Sequence, residues 1–264
     1  YKRLDYQSIH ACRNYFDAYI DGAYNPRTRA FEIRLKGMMP GSVIHYTLDG
    51  NEPTSKAAIY TQPIKVTKDT QVKAVVFKNG AQVGKVTKKS FFVNKATGKS
   101  TSSNVAYRFK PDNPGAKDYS EFNFCGLTNG IRGYLNHVHP WVAFKPAQYT
   151  EIIVDLDTIT SFRKIRYGVM NGYGQEAVAP ESVDIEISND SISFKRIASK
   201  KFTYTISNKW QMFEQKFNFE PQKARYVKLR FKNGKLPHKL GGFPVPKKRE
   251  GELGLLFIDE IEIK

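Results

Sequence analysis

Apolar residues in this chain recur at every second position, in short runs. Over most of the chain they do not sustain the spacing of three and four that an amphipathic helix needs. The run from Val183 to Ser188 is the clearest case, with Val183, Ile185 and Ile187 on one face and Asp184 and Glu186 on the other. From Ala30 to Leu35 the same alternation sets Phe31, Ile33 and Leu35 against Glu32 and Arg34. A period of two is the pleat of a β-strand. Composition agrees, because 18 Phe and 15 Tyr stand against 4 Met and 2 Trp, and aromatic residues suit a pleated surface. The expectation is an all-β chain.

Turn chemistry sorts these runs into two groups. In the first, Met39-Pro40-Gly41 marks a turn, and the run from Val43 to Leu48 is closed by Asp49-Gly50-Asn51, a hairpin signal. Runs at Ile64 to Val66, Gln71 to Phe77 and Lys85 to Val93 follow, with Asn79-Gly80 as a turn between the last two. Strands so spaced, over about seventy residues, predict a small immunoglobulin- or fibronectin-like sandwich. Residues 94–104 are small and polar, a composition that suits a linker or exposed crossover. The second group has runs at Glu151 to Leu156, Ile159 to Val169, Val183 to Ser188, Phe194 to Ala198, Met212 to Phe219, Tyr226 to Phe231 and Leu255 to Ile263. No strand–helix–strand alternation interrupts them, so a jelly roll is favoured over a parallel sheet. Residues 1–20 are too few for a domain and read as the end of a preceding segment, their first half fitting a short helix. The expected units are therefore 1–20, 21–96 and 97–264.

The chain carries 42 Lys and Arg against 25 Asp and Glu, a formal net charge of +17. Such an excess attracts polyanions, whether nucleic acid, sulfated glycan or anionic membrane. No nucleic-acid recognition motif accompanies it, and no run of 18 apolar residues offers a membrane span. The charge is spread along the chain, and Lys247-Lys248-Arg249 is its one dense basic tract, in a stretch rich in Pro and Gly. Two cysteines, Cys12 and Cys125, lie far apart and allow either one long-range disulfide or two buried thiols. Neither Cys nor His shows metal-site spacing. The chain opens on Tyr1 rather than Met, which suggests a mature or excised fragment.

Two ordered sets of motifs carry a family resemblance. The stretch from Pro40 to Thr54 (PGSVIHYTLDGNEPT), then Tyr60-Thr61-Gln62-Pro63 and the strand from Thr70 to Phe77, resembles the small C-terminal domain of chitobiases and β-hexosaminidases. The second set is Leu127 to Gly130, Trp141 to Phe144, Val154 to Ile165, Pro180 to Phe194, Ala224 to Leu229 and Asp259 to Ile263. It resembles a discoidin-like jelly roll, the factor V/VIII C-type module common among carbohydrate-binding modules. Their order resembles the C-terminal half of bacterial family 20 β-N-acetylhexosaminidases. The resemblance implies a secreted, periplasmic or cell-surface glycan-active protein, with a catalytic barrel upstream in the same polypeptide. The GGDE-type motif of that barrel is absent from this sequence. The alternative is a non-enzymatic adhesin for anionic polysaccharide.

The resemblance also implies a possible structural Ca²⁺, held in related modules by a turn Asp and a terminal-strand Glu. Those positions are Asn129 and Glu260 here, and Asn removes one negative charge from the set. A second departure puts Asp157 where the family has Gly. The spacing of Asp155 and Asp157 fits solvent-facing or turn-capping residues better than the opposed carboxylates of a glycosidase. Sugar binding needs an aromatic face beside a few placed polar groups. His137 and His139, in the aromatic loop after Tyr134, supply such groups, as do Tyr173, Gln175 and Glu176 between strands and His238 after Pro237. Trp141 fits a packed core or rim position, whereas Trp210 fits either an exposed platform or the start of a core strand. No cofactor is required by any of these readings.

Overall fold

The computed structural model describes residues 13–109, 126–133, 141–172, 176–204, 210–237, 239–240, 243–244 and 247–264. Its chain divides into two compact units, residues 1–91 and 92–264. Apart from short 3₁₀ turns at Arg13–Phe16 and Lys247–Arg249, all regular structure among the described residues is β.

The first unit holds eight strands: β1 (Tyr19–Asn25), β2 (Ala30–Lys36), β3 (Val43–Thr47), β4 (Ala58–Ile59), β5 (Ile64–Val66), β6 (Thr70–Lys78), β7 (Ala81–Gln82) and β8 (Thr87–Phe91). One sheet runs β1-β2-β5 and the other β4-β3-β6-β7, with β8 on the free side of β6. Alternation in β2 buries Phe31, Ile33 and Leu35, as its sequence requires. Phe91 of β8 crosses to the other sheet and lies 5.1 Å, centroid to centroid, from Phe31. A Cβ on Gly22 would come within 2.7 Å of the Phe91 ring, so that glycine allows the sheets to close. Asn79 and Gly80 both have positive φ, 51° and 77°, the backbone a two-residue hairpin needs; they join β6 to the short β7.

Strand β1 departs from expectation, since residues before Gly22 read as a leftover segment. Tyr19 and Ile20 instead pair with Lys36 and Leu35, Asp17 Oδ1 accepts the Lys85 amide at 2.8 Å, and Ala18 O accepts the Thr87 hydroxyl at 2.8 Å. The apolar content there, Ala18 and Ile20, was too sparse to show alternation.

The second unit continues with β9 (Thr101–Ser103), β10 (Tyr107–Phe109), β11 (Val142–Phe144), β12 (Tyr149–Asn171), β13 (Ser182–Ser188), β14 (Lys195–Lys201), β15 (Gln211–Lys232), β16 (Lys239–Leu240), β17 (Phe243–Pro244), β18 (Leu256–Ile258) and β19 (Glu262–Ile263). Its main sheet has the order β10-β11-β18-β12-β15-β13-β14, with β9 and β19 also on β12. The runs expected at Glu151 to Leu156 and Ile159 to Val169 are one long strand, β12, and those at Met212 to Phe219 and Tyr226 to Phe231 are another, β15. The two pair antiparallel through register shifts at Asp155/Thr160 and Phe162/Lys164. Bulges bend a strand without ending it. The early half of β12 carries β9 and faces the late half of β15, which carries β13; the late half of β12 carries β18 and β19. The two halves enclose one core, and Tyr167 meets Phe231 edge to face across it at 5.4 Å.

Residues 94–104 are not a linker. Asn94 Oδ1 accepts the amides of Ala96 and Ile263, Ala96 and Thr97 are buried, and Thr101–Ser103 is β9. Small polar side chains there serve backbone pairing, which composition does not distinguish from solvation. The outer edge strand β14 carries Lys195, Arg196, Lys200 and Lys201, charges that oppose edge-to-edge association.

Candidate functional site

The turn after Leu127 is held from two sides, by the 92–99 segment and by the chain's C-terminal residues. The first side acts through Phe92 N to Gly130 O, Gly98 N to Thr128 O and the Thr128 hydroxyl to Lys99 O. Gly130 has φ of 74°, and its amide donates to Glu260 Oε2 at 2.8 Å. Asn129 Oδ1 accepts the Ile131 amide at 2.9 Å, an Asx turn, and Ile261 N donates to Leu127 O at 2.7 Å. Asn129 and Glu260 are therefore brought to the same turn, and both are buried.

Beside them lies a clasp that sequence reasoning missed. Arg132 directs Nε to Asp259 Oδ2 at 3.1 Å, Nη1 to Glu262 Oε1 at 3.4 Å and Nη2 to Glu214 Oε2 at 3.3 Å. Arg166 reaches the same Glu262 and Glu214, and Lys264 adds a third cation to Glu262. Asp259 also accepts the amides of Gly133 and Gly168. Burial nevertheless pushes its carboxyl up to about 6, against the pull of Arg132. The signal lay in the run from Asp259 to Ile263: three carboxylates among buried isoleucines require cations, and Arg132 follows the turn they hold.

Glu260 differs from its neighbours. Its carboxylate is fully buried and accepts only neutral donors, Gly130 N and Asn94 Nδ2, the latter at 3.3 Å; among the described residues no cation pairs with it. Burial drives its pKa well up. A buried carboxylate without a counter-ion, on the same turn as an amide oxygen, suits a hard oxygen-seeking cation such as Ca²⁺. No cluster of three or more His, Cys, Asp or Glu side chains able to hold a metal forms among the described residues. Asn129 and Glu260 would hold it, and its role there would be to fix the turn.

The second candidate region lies where β12 ends and β15 begins. Gly172 N donates to Ala177 O at 3.0 Å, bringing the end of β12 against Ala177. Glu176, at φ of 54°, gives both carboxylate oxygens to Arg249, which also donates Nε to Glu252 at 2.9 Å. The Glu176 carboxylate thus braces the 247–252 segment. Trp210 is half-buried immediately before β15, on a small cluster of Trp141, Ala143, Met170, Ala177 and Phe257. Trp141 itself is fully buried, a core residue, and Gly133 lies so close that a Cβ there would sit 2.5 Å from its ring. His137, His139, Tyr173, Gln175 and His238 lie outside the described residues, as do Cys12 and Cys125.

Asp155 and Asp157 sit at the first bulge of β12. Asp155 Oδ1 accepts the Asp157 amide at 2.8 Å, and both its oxygens take Arg225. Asp157 has φ of 67° and pairs with Lys99 at 2.5 Å, so it occupies the left-handed conformation a glycine adopts freely. Both carboxylates are engaged in turn and ion-pair roles.

Comparison with known proteins places these arrangements. Residues 33–91 match the Fn3 associated family, and residues 115–240 match the F5/8 type C domain family. The second unit is discoidin-like. Strands β12 and β15 and the 127–133 turn lie within the matched residues, and the terminal segment that reaches the turn follows them. No curated protein matches the chain in sequence. Among solved structures it resembles chitosan-binding module 1 of a chitosanase/glucanase from Paenibacillus sp. IK-5, at 14% identity and a TM-score of 0.38, over 65% of this chain and 98% of that one. It also resembles CpGH89CBM32-5 from Clostridium perfringens in complex with GalNAc-β-1,3-galactose, at 13% identity and a TM-score of 0.37, over 63% and 94%. A third likeness is to a Ruminococcus gnavus GH29 fucosidase in complex with fucose, at 15% identity and a TM-score of 0.37, over 65% of this chain and 26% of the fucosidase. No described helix is long and apolar enough to cross a membrane.

Proposed function

We propose that this chain is the non-catalytic accessory region of a secreted glycoside hydrolase, and that its discoidin-like unit binds glycan. The observation that carries this reading is the ordered pair of matches, Fn3 associated over 33–91 and F5/8 type C over 115–240. The state of the carboxylates supports it: Asp155, Asp157 and Glu176 are each tied to a basic partner or a turn amide. None of the three is free to act as general acid or base across a cleft. The motif order around Pro40 to Thr54 makes a family 20 β-N-acetylhexosaminidase the parent this proposal favours, with its catalytic barrel in the same polypeptide. Ca²⁺ at Asn129 and Glu260 belongs to the same proposal, as a structural ion.

Two measurements on the purified chain test it. Retention on an array of neutral and anionic glycans is the expected result, together with no release of p-nitrophenol from p-nitrophenyl N-acetyl-β-glucosaminide. Turnover by this chain would place chemistry on it and overturn the accessory role. Failure to retain any glycan would leave bracing of a neighbouring domain as its only part.

A further inference from the structure

We propose that Trp210, together with Lys247 and Lys248, forms a subsite for an anionic sugar, one carrying a carboxylate or a sulfate. This rests on the reading that the discoidin-like unit binds glycan, and it names the chemical class. Trp210 is fixed from below: a Cβ on Gly172 would fall 2.1 Å from Cζ3 and 2.2 Å from Cε3 of the indole. Only glycine at 172 lets the ring lie on the backbone in this way. One side of the indole rests on Ala177 and its neighbours, and the residue keeps part of its surface in solvent. A rigid, partly exposed indole offers a flat apolar face to the C–H groups of a sugar ring at little entropic cost.

Charge around Arg249 is arranged unevenly. Gly172 and Ala177, both packed against Trp210, are bridged backbone to backbone, and Glu176 clamps Arg249 through both carboxylate oxygens. Glu252 takes the remaining face of that guanidinium, so Arg249 is neutralised by two carboxylates. Lys247 and Lys248 precede it in the same short turn, exposed, and neither forms an ion pair among the described residues. Elsewhere on the sheet several cations sit opposite carboxylates: Lys228 with Glu186 at 2.6 Å, Arg230 with Glu151 at 3.1 Å and Arg225 with Asp155 at 2.9 Å. Glu176 and Glu252 thus hold the basic turn through Arg249, Glu176 adjoins Ala177, on which Trp210 packs, and the two ammonium groups of Lys247 and Lys248 are left without a carboxylate partner among the described residues. Paired cations next to an aromatic face suit a sugar with a negative substituent.

The test uses the whole chain, with a heparin oligosaccharide and a neutral chitin oligosaccharide as probes. Trp210→Ala should weaken retention of both by at least about tenfold, the scale of losing an anchoring aromatic. Trp210→Phe should restore most of it while melting like the parent. Lys247→Ala with Lys248→Ala should weaken heparin by about tenfold and flatten its salt dependence, leaving chitin retention unchanged. Lys195→Ala with Lys201→Ala, an equal charge loss on the exposed edge strand, is the control. An equal heparin loss in that control, or no effect of Trp210→Ala, would overturn the proposal. Retention of chitin but not heparin by the parent chain sinks this inference alone, whereas retention of neither sinks the glycan-binding reading beneath it. Binding of a DNA duplex or of anionic vesicles as tight as heparin would also overturn it, by removing any selectivity for sugar.

Discussion

Single side chains carry two of the more exposed commitments of this structure. The Tyr167 ring packs against Phe217 and Phe231, and its buried hydroxyl has no hydrogen-bond partner among the described residues. An unpaired buried hydroxyl forfeits its hydration and regains nothing, at a cost of about 1–3 kcal/mol. Tyr167→Phe keeps the ring and removes that cost, so it should raise stability by about 1 kcal/mol, read as a higher denaturation midpoint at unchanged m-value. A lower midpoint would mean that the hydroxyl has a partner after all. Glu260 is the opposite case, a buried carboxylate with no cation paired to it among the described residues. If Ca²⁺ supplies it, millimolar Ca²⁺ should raise the melting temperature, and Glu260→Gln should abolish the increment. At a concentration about 100-fold above Kd the gain is about 2.7 kcal/mol. A melting temperature that ignores both Ca²⁺ and chelator would remove the ion from the proposal.

Among the elements, the bulged strand β12 shows what the sequence made legible and what it hid. Alternation in the runs beginning at Glu151 and Ile159 was plain, and both are strand. What joins them was not plain, because a bulge is held by tertiary partners: Arg225, opposite, clamps Asp155, while Asp155 caps Asp157. The same limit explains the clasp on the terminal strand. Asp259 and Glu262 stand out in sequence as acids among isoleucines, but Arg132 and Arg166 reach them only through the fold. Strand β9 escaped notice because Thr101, Ser102 and Ser103 offer no apolar alternation, only backbone pairing to β12. Trp141 and Trp210 looked alike in composition, and only packing made one core and left the other half-exposed. The bulge also gives a pH signature. The hydrogen bonds from Arg225 hold the Asp155 carboxyl below its usual value. Its stabilisation is therefore present above the unfolded carboxylate pKa of about 3.9 and fades as pH falls through the lower folded value. With 41% of the Arg225 side chain exposed, solvent screening limits the effect to about 0.5–1 kcal/mol. Asp155→Asn should lose that much at pH 7 and nearly nothing at pH 2, by denaturant midpoints at both pH values. An equal loss at both would show that the clamp acts through shape and not charge.

At the scale of the molecule, the two units have separate interiors. Phe31, Phe91 and their neighbours fill the first, whereas the main core of the second runs from Ala96 to Ile263 and includes no residue before 92. Separate cores predict separate unfolding, and the difference in size sets how each transition answers to a mutation. Truncating a buried Phe to Ala costs about 3–5 kcal/mol wherever the site cannot collapse. In a unit of 60–100 residues each kcal/mol moves the midpoint by about 4–8 °C, and in one of 150–250 residues by about 2–4 °C. Phe31→Ala should therefore lower one calorimetric transition by more than about 12 °C, or abolish it, and leave the other in place. Phe144→Ala, in the larger core, should lower only the second, by about 6–20 °C. The fragment 92–264 should show that second transition alone, at the temperature it has in the whole chain. A single transition that both variants move together would mean that the chain unfolds as one cooperative body, and the independence of its two cores would be refuted.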